Sequence, residues 1–260
     1  MDKRLTGKIA IVTGSNRGIG RAIAARLAAE GARIVLAARD QPLLESTAAE
    51  IKKTGGAAAG IPLDLRMPDA PARLVEFATA SFGPPDIVVN NAGATKRGDF
   101  LELTDDDWAD GFALKFYGAV RLTRAAWPHL RERRGSVVNI SGAGGRMPGP
   151  YFTIGGSVNA ALLSFTKAMA DVGVRDGVQV NAINPGSIRT DRFRRLLAQQ
   201  ATEQNIPPED AERKIVEMNK ITRIGEPEDI AALVAFVVSP EGRLLQGALI
   251  DMDAGATKVI

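Results

Sequence analysis

The most restrictive feature of the chain is a series of short apolar runs rich in β-branched residues, at 9–12, 34–37, 87–89, 137–140, 178–183 and 248–250. Each is short enough for a strand and apolar enough to be buried on both faces. Between them, apolar residues fall at helical spacing: Ile19, Ile23 and Leu27, then Leu74, Phe77 and Ala78, and later Leu162, Phe165 and Met169. Strand alternating with helix predicts right-handed βαβ units and a parallel sheet covered on both sides. No linker, low-complexity tract or fixed-period repeat interrupts the pattern, so residues 1–260 read as one doubly wound α/β domain. The exception is 191–223, with many charges, Pro207 and Pro208, and no strand signal. It reads as a helical excursion that serves as a substrate lid.

Composition narrows the function classes. Hydrophobic residues make up 45% of the chain and charged residues 24%, enough apolar surface for a core. Cysteine is absent, which excludes disulfides, thiolate chemistry and cysteine-ligated metals. A single histidine, His129, is too few for a multi-histidine site, so no metal is expected. The 33 basic and 30 acidic residues nearly balance, which argues against a nucleic-acid partner. The opening residues show no secretory signal pattern, and no segment reaches the ~18 apolar residues of a membrane span. These features predict a soluble, cytoplasmic protein with a small-molecule substrate and no membrane partner.

The first strand runs straight into Thr13-Gly14-Ser15-Asn16-Arg17-Gly18-Ile19-Gly20 and then a helix. A strand, a glycine turn and a helix N-terminus together offer free backbone N–H groups and a positive dipole end to a phosphate. Alone, the Gly-x-x-x-Gly-x-Gly spacing also fits a tight βα turn with no ligand. An NAD site expects a carboxylate after the second strand to hold the ribose 2′-hydroxyl. Here the chain reads Val35-Leu36-Ala37-Ala38-Arg39, with no acid before the arginine. Arg39 and Arg17 suit a 2′-phosphate, which a guanidinium grips by paired charge-assisted hydrogen bonds, so NADP(H) is the expected cofactor.

With Asn90-Asn91-Ala92-Gly93 after the fourth strand, the chain resembles the short-chain dehydrogenase/reductase family over nearly its whole length. Asp64-Leu65, 184–190 (Asn-Pro-Gly-Ser-Ile-Arg-Thr), 223–230 and Asp251-Met252-Asp253-Ala254-Gly255 fit the same pattern. The resemblance implies a Rossmann-type sheet of about seven parallel strands and a homodimer or homotetramer. It also implies a cofactor site of Gly14, Asn16, Arg17, Gly18, Ile19, Gly20, Arg39, Asp64, Leu65, Asn91, Ala92 and Gly93. Pro185, Gly186, Ile188 and Thr190 would then line the nicotinamide and pyrophosphate.

Members of that family carry a Tyr-x-x-x-Lys pair, a serine before it and an asparagine on the preceding helix. Hydride transfer to a carbonyl leaves negative charge on oxygen, so a positioned acid must donate to it. The block at 160–167 fixes the register and puts Gly155 at the tyrosine position and Asn159 at the lysine position. Gly142, beside Ser141, falls at the serine position and Lys115 at the asparagine position. All four residues therefore differ from the family pattern. Lys115 is expected either to swing its ammonium into the place of the missing lysine or to pair with an acid or point to solvent, and Asn159 to keep hold of the nicotinamide ribose. Ser141 and Tyr151 are the nearest hydroxyl candidates. Gly155 predicts an open space above the nicotinamide, or else a loop in which Ser157 caps a shortened helix. Arg189, Arg192, Arg194 and Arg195 would face an anionic substrate or form one solvated helix face.

The expected function is an NADP(H)-dependent oxidoreductase that moves hydride between nicotinamide and a carbonyl or alcohol, with an atypical proton donor. The alternatives are a redox-inactive NADP(H)-binding sensor or partner protein, and a lyase or isomerase reusing the pocket.

Overall fold

In a computed structural model that describes residues 3–259, seven strands form one parallel sheet. They are β1 (Ile9–Thr13), β2 (Arg33–Ala38), β3 (Ala57–Pro62), β4 (Ile87–Asn90), β5 (Ser136–Ile140), β6 (Gln179–Pro185) and β7 (Leu249–Met252), in the order β3-β2-β1-β4-β5-β6-β7. The six apolar runs each lie within or overlap one of these strands. β3 has no such run, because its Ala-Ala-Ala-Gly-Ile-Pro sequence has one β-branched residue and pairs with β2 at the sheet edge.

Period-2 alternation sends neighbouring side chains of one strand into two separate cores. Ala10 and Val12 of β1 pack with α1 (Gly18–Ala29), α2 (Gln41–Lys53) and α9 (Pro227–Val237), whereas Ile11 packs on the opposite face. That second face is covered by α3 (Ala70–Ser81), α5 (Gly118–Arg133) and α6 (Thr153–Asp176). The predicted helical stripes are used as expected: Ile23, Leu27, Leu74, Ala78 and Leu162 are all buried. Among the described residues no helix is long and apolar enough to cross a membrane.

The 191–223 segment folds as α7 (Asp191–Gln204) and α8 (Pro208–Asn219), with Pro208 at the start of the second helix. The pair has a small core of its own in Leu197, Ala201, Ala211, Ile215, Ile221 and Ile224. The remaining helix, α4 (Asp105–Gly111), is capped by Thr104 and runs through a π-helical stretch, Phe112–Tyr117, into α5.

Beneath the carboxyl ends of the central strands, a polar chain ties four elements together. Asn90 Nδ2 of β4 donates to Asn139 Oδ1 of β5 at 2.8 Å and to Thr123 Oγ1 of α5 at 3.2 Å. Asn139 Nδ2 donates to Thr166 Oγ1 of α6 at 2.9 Å, and that hydroxyl donates to the Leu162 carbonyl. Removing the middle member strands buried groups on both sides. Asn139→Ala is expected to cost about 2 kcal/mol, read as a lowered urea midpoint with an unchanged slope. An unshifted midpoint would show that the chain is not structurally important.

Candidate functional site

The chain order of the strands reverses between β1 and β4, and in such sheets the ligand crevice opens outside the strand carboxyl ends at that point. The glycine turn follows β1 there. Gly14 and Gly18 have φ of 63° and 52°, left-handed conformations that favour glycine. A Cβ on Gly20 would lie 2.2 Å from the Gly14 carbonyl oxygen, so the helix meets the turn at a distance only glycine allows. Arg17 is the N-cap of α1 but makes no capping hydrogen bond, and the first turn has no acidic residue. The N-terminal N–H groups and positive dipole end of a 12-residue helix are thus left to an anion.

Segments distant in sequence close around this turn. Asn91 Nδ2 donates to the Thr13 and Gly14 carbonyls at 2.9 and 3.2 Å, and Thr13 Oγ1 accepts the Asn91 and Ala92 N–H groups. From the β6 side, Thr190 caps α7, and its methyl would lie 3.2 Å from a Cβ on Gly18. Pro185 and Ile188 are buried in the same stretch, with Gly186 against Asp253. Arg39 is 65% exposed, with its nearest carboxylate, Asp64, 3.9 Å away, and Asp64 itself pairs with Arg66. Leu65 is buried next to it, in van der Waals range of Gly118. Arg17 is exposed beside the turn and Asn16 half-buried within it. A glycine cradle, an uncapped helix N-terminus and two accessible arginines fit a phosphorylated dinucleotide.

The structure brings Lys115, Ser141 and Asn159 together. Lys115 comes from the π-helical stretch, a local widening that re-aims side chains. Edge-to-face contacts of Phe116 with Phe112 and with Phe165 of α6 hold that stretch in place. The lysine stem crosses Gly93, where a Cβ would come within 2.8 Å of Lys115 Cδ. Its ammonium donates to Asn159 Oδ1 and to the Ser141 carbonyl, both at 2.6 Å. The Ser141 hydroxyl donates to the Asn159 backbone carbonyl at 3.1 Å. No carboxylate pairs with Lys115 among the described residues. Burial first, and the Arg192 charge second, push its pKa down to about 8.

Two expectations are corrected. The space predicted over Gly155 is filled by the Phe152 ring, whose atoms approach a Cβ at Gly155 to 2.0 Å. Nor is the helix shortened: α6 begins at Thr153, so Ser157 lies inside it and does not cap it. Tyr151 is not brought to the cluster. It is 65% exposed, and its contact with the neighbouring loop is a backbone one, its carbonyl accepting from Gly98 N–H. His129 lies within α5 and takes no part in the site.

Of the four arginines at the start of the excursion, Arg189 is held by Glu212 and Glu226, and Arg194 by Asp191. Arg192 reaches back to the Thr95 carbonyl at 3.2 Å, and Arg195 is exposed. Sequence reasoning missed Arg97 and Phe152. Arg97 places its guanidinium 4.1 Å over the Phe152 ring, and only the fold joins this loop to the start of α6.

The family model described as Enoyl-(Acyl carrier protein) reductase matches residues 14–257. An uncharacterised oxidoreductase of Mycobacterium tuberculosis is 38% identical over 98% of this chain and 94% of that protein. L-Sorbose reductase from Gluconobacter frateurii, solved with NADPH and L-sorbose, is 32% identical and superposes over 100% of both chains with a TM-score of 0.96. A short-chain dehydrogenase from Burkholderia cenocepacia, solved with NADP, is 34% identical over 97% of this chain and 99% of that one, with a TM-score of 0.85.

The Lys115 environment has a consequence for stability. Between about pH 8 and the ordinary lysine value of 10.5, the folded state has shed a proton that the unfolded chain still holds. Bound protons are then fewer in the folded state, so this group's contribution to stability rises with pH across that window. Urea midpoints of wild type and Lys115→Met are expected to diverge over the window, with the upward component present only in wild type. Parallel curves would contradict the buried ammonium.

Proposed function

Since the chain belongs to the short-chain dehydrogenase/reductase family, we propose that it is an NADP(H)-dependent oxidoreductase acting on a carbonyl or alcohol with Lys115 as proton donor. The observation that carries this reading is the ammonium held 2.6 Å from Asn159 Oδ1 at the carboxyl end of β5. The positions of cation and amide are exchanged relative to the family pattern, so the charge arrives from the helix before β5 instead of the one after it.

Gly14, Asn16, Gly18, Ile19 and Gly20 would hold the pyrophosphate, and Arg17 and Arg39 the 2′-phosphate. Asp64 and Leu65 would meet the adenine; Asn91, Ala92, Gly93, Pro185, Gly186, Ile188 and Thr190 would line the nicotinamide end. The NADP complexes of the Gluconobacter and Burkholderia relatives support this choice of cofactor. When bound, the cofactor supplies or accepts the hydride. Lys115 Nζ donates to the carbonyl oxygen as negative charge builds there, and gives up its proton to form the alcohol. A pKa of about 8 suits this task near neutral pH, because the group is protonated and yet a better acid than an ordinary lysine. Asn159 Oδ1 is engaged by Lys115, so its amide is left Nδ2 for the ribose. The Ser141 hydroxyl is spent on the backbone as a donor and keeps an acceptor for a substrate hydroxyl; Tyr151 contributes only if its loop moves inward.

The excursion formed by α7 and α8 acts as the lid. A cavity of about 340 Å³ supports this, with Ala143, Gly144 and Met147 on one wall and Met218, Lys220 and Lys258 on the other. The second reading, an NADP(H)-binding protein without redox chemistry, draws on the Phe152 ring over Gly155.

Two measurements test the proposal. NADPH is expected to bind more tightly than NADH, and Arg39→Ala to erode that preference about tenfold through the lost charge-assisted bonds; equal affinities in wild type would overturn the cofactor assignment. NADPH oxidation should follow addition of a ketone from a panel including L-sorbose, diacetyl and acetoacetate. Lys115→Met should lower that turnover roughly 100-fold or more while NADPH still binds. Tight NADPH binding with no oxidation by any panel member would favour the second reading, and unchanged turnover in Lys115→Met would remove the lysine from the chemistry.

A further inference from the structure

Several charged side chains on the substrate side of the crevice are paired, and a group of three is not. Lys96 pairs with Asp107, Arg146 with Asp251, Arg189 with Glu212 and Glu226, and Arg223 with Asp229. Arg97, Arg192 and Lys115 have no carboxylate partner among the described residues. They come from three elements: the loop after β4, the first turn of α7 and the π-helical stretch. Arg192 Nη2 is anchored on the Thr95 carbonyl, two residues from Arg97. Arg97 sets its guanidinium carbon 4.1 Å from the centroid of the Phe152 ring, which also packs against Gly144 and Gly155. Lys115 crosses Gly93 in the same loop.

Arg192 repels both Lys115 and Arg97. Burial first, and the Arg192 charge second, make both Lys115 and Arg97 hold their protons less firmly than usual. A fold does not gain stability from gathering like charges without counter-charge; such an arrangement is relieved when an anion binds. A guanidinium held over an aromatic ring is well disposed for this, since the cation–π contact does not consume its N–H groups, which remain for an oxyanion.

On the hydride-transfer reading given above, we propose that the substrate carries an oxyanion group, gripped by Arg97 and Arg192, which places its carbonyl or hydroxyl carbon next to Lys115. The lid arginines as a set do not do this. Arg189 and Arg194 are consumed by carboxylates, and the binding pair is one lid arginine and one from the opposite loop. An arrangement with one residue on the lid and one on the body also lets the anion draw α7 down onto the site.

The test uses the full chain and two matched pairs of probes: acetoacetate with its neutral methyl ester, and dihydroxyacetone phosphate with dihydroxyacetone. Binding to the NADP+-saturated protein is measured by calorimetry, and NADPH-dependent reduction is measured in parallel. At least one anionic probe is expected to bind about tenfold or more tightly than its neutral partner, and which pair shows it separates carboxylate from phosphate. The double variant Arg97→Gln/Arg192→Gln should erase that preference, while Arg195→Gln on the same helix should keep it. Arg97→Lys/Arg192→Lys, which retains charge but not the planar fork, should fall between. Equal binding or no binding within both pairs, or a preference that survives in the glutamine double variant, overturns the anion site. The parent reading fails separately: anion-selective binding with no NADPH oxidation by any probe removes the reductase reading and supports the site, whereas oxidation without charge preference does the reverse.

Discussion

The Lys115 ammonium is partly withdrawn from water, and the protein must replace that hydration with its own oxygens. It does so with the Asn159 amide and the Ser141 carbonyl, and those two bonds account for much of the local architecture. Ser141 sits just past β5, so the carbonyl is available only because the strand ends there. Asn159 lies in the second turn of α6, and its backbone carbonyl accepts the Ser141 hydroxyl, closing a ring of contacts between strand end and helix. Gly93 is required by the lysine stem. A π-helical stretch at Phe112–Tyr117 brings Lys115 to the correct side of the helix.

The rest of the fold keeps these pieces in register. The Asn90–Asn139–Thr166 chain joins β4, β5 and α6 directly below the cluster, and the strand order puts the glycine turn of β1 next to the loop that follows β4. Cofactor crevice and cation cluster therefore share one loop, residues 91–98. Charge distribution follows the same division. Carboxylates hold Arg189, which braces the excursion, whereas Arg97, Arg192 and Lys115 have no carboxylate partner among the described residues.

Much of this was legible in the sequence. The six β-branched runs gave strands, because burial on both faces of a parallel sheet demands continuous apolar residues. The glycine turn was legible because Gly14, Gly18 and Gly20 answer to backbone geometry within eight residues. The register of the 160–167 block put Asn159 at the family's lysine position, toward which Lys115 was expected to reach, and the two meet in the structure. What could not be read depended on contacts between distant segments. β3 lacked a propensity signal, being alanine-rich at an edge. Gly155-Gly156 suggested a break by helix propensity, yet tertiary packing of Ile154, Val158 and Leu162 carries α6 through it. Phe152 filling the space over Gly155, and Arg97 lying on that ring, have no signature in linear spacing.

In the proposed reaction a lysine from the helix before β5 meets the reacting oxygen. The most direct measurement is a crystal structure of the ternary complex with NADP+ and a ketone that the enzyme reduces. Lys115 Nζ is expected within hydrogen-bonding reach of the substrate oxygen, still anchored by Asn159, with Tyr151 at the surface. A Tyr151 hydroxyl turned inward onto that oxygen, with Lys115 bound only to Ser141 and Asn159, would contradict it.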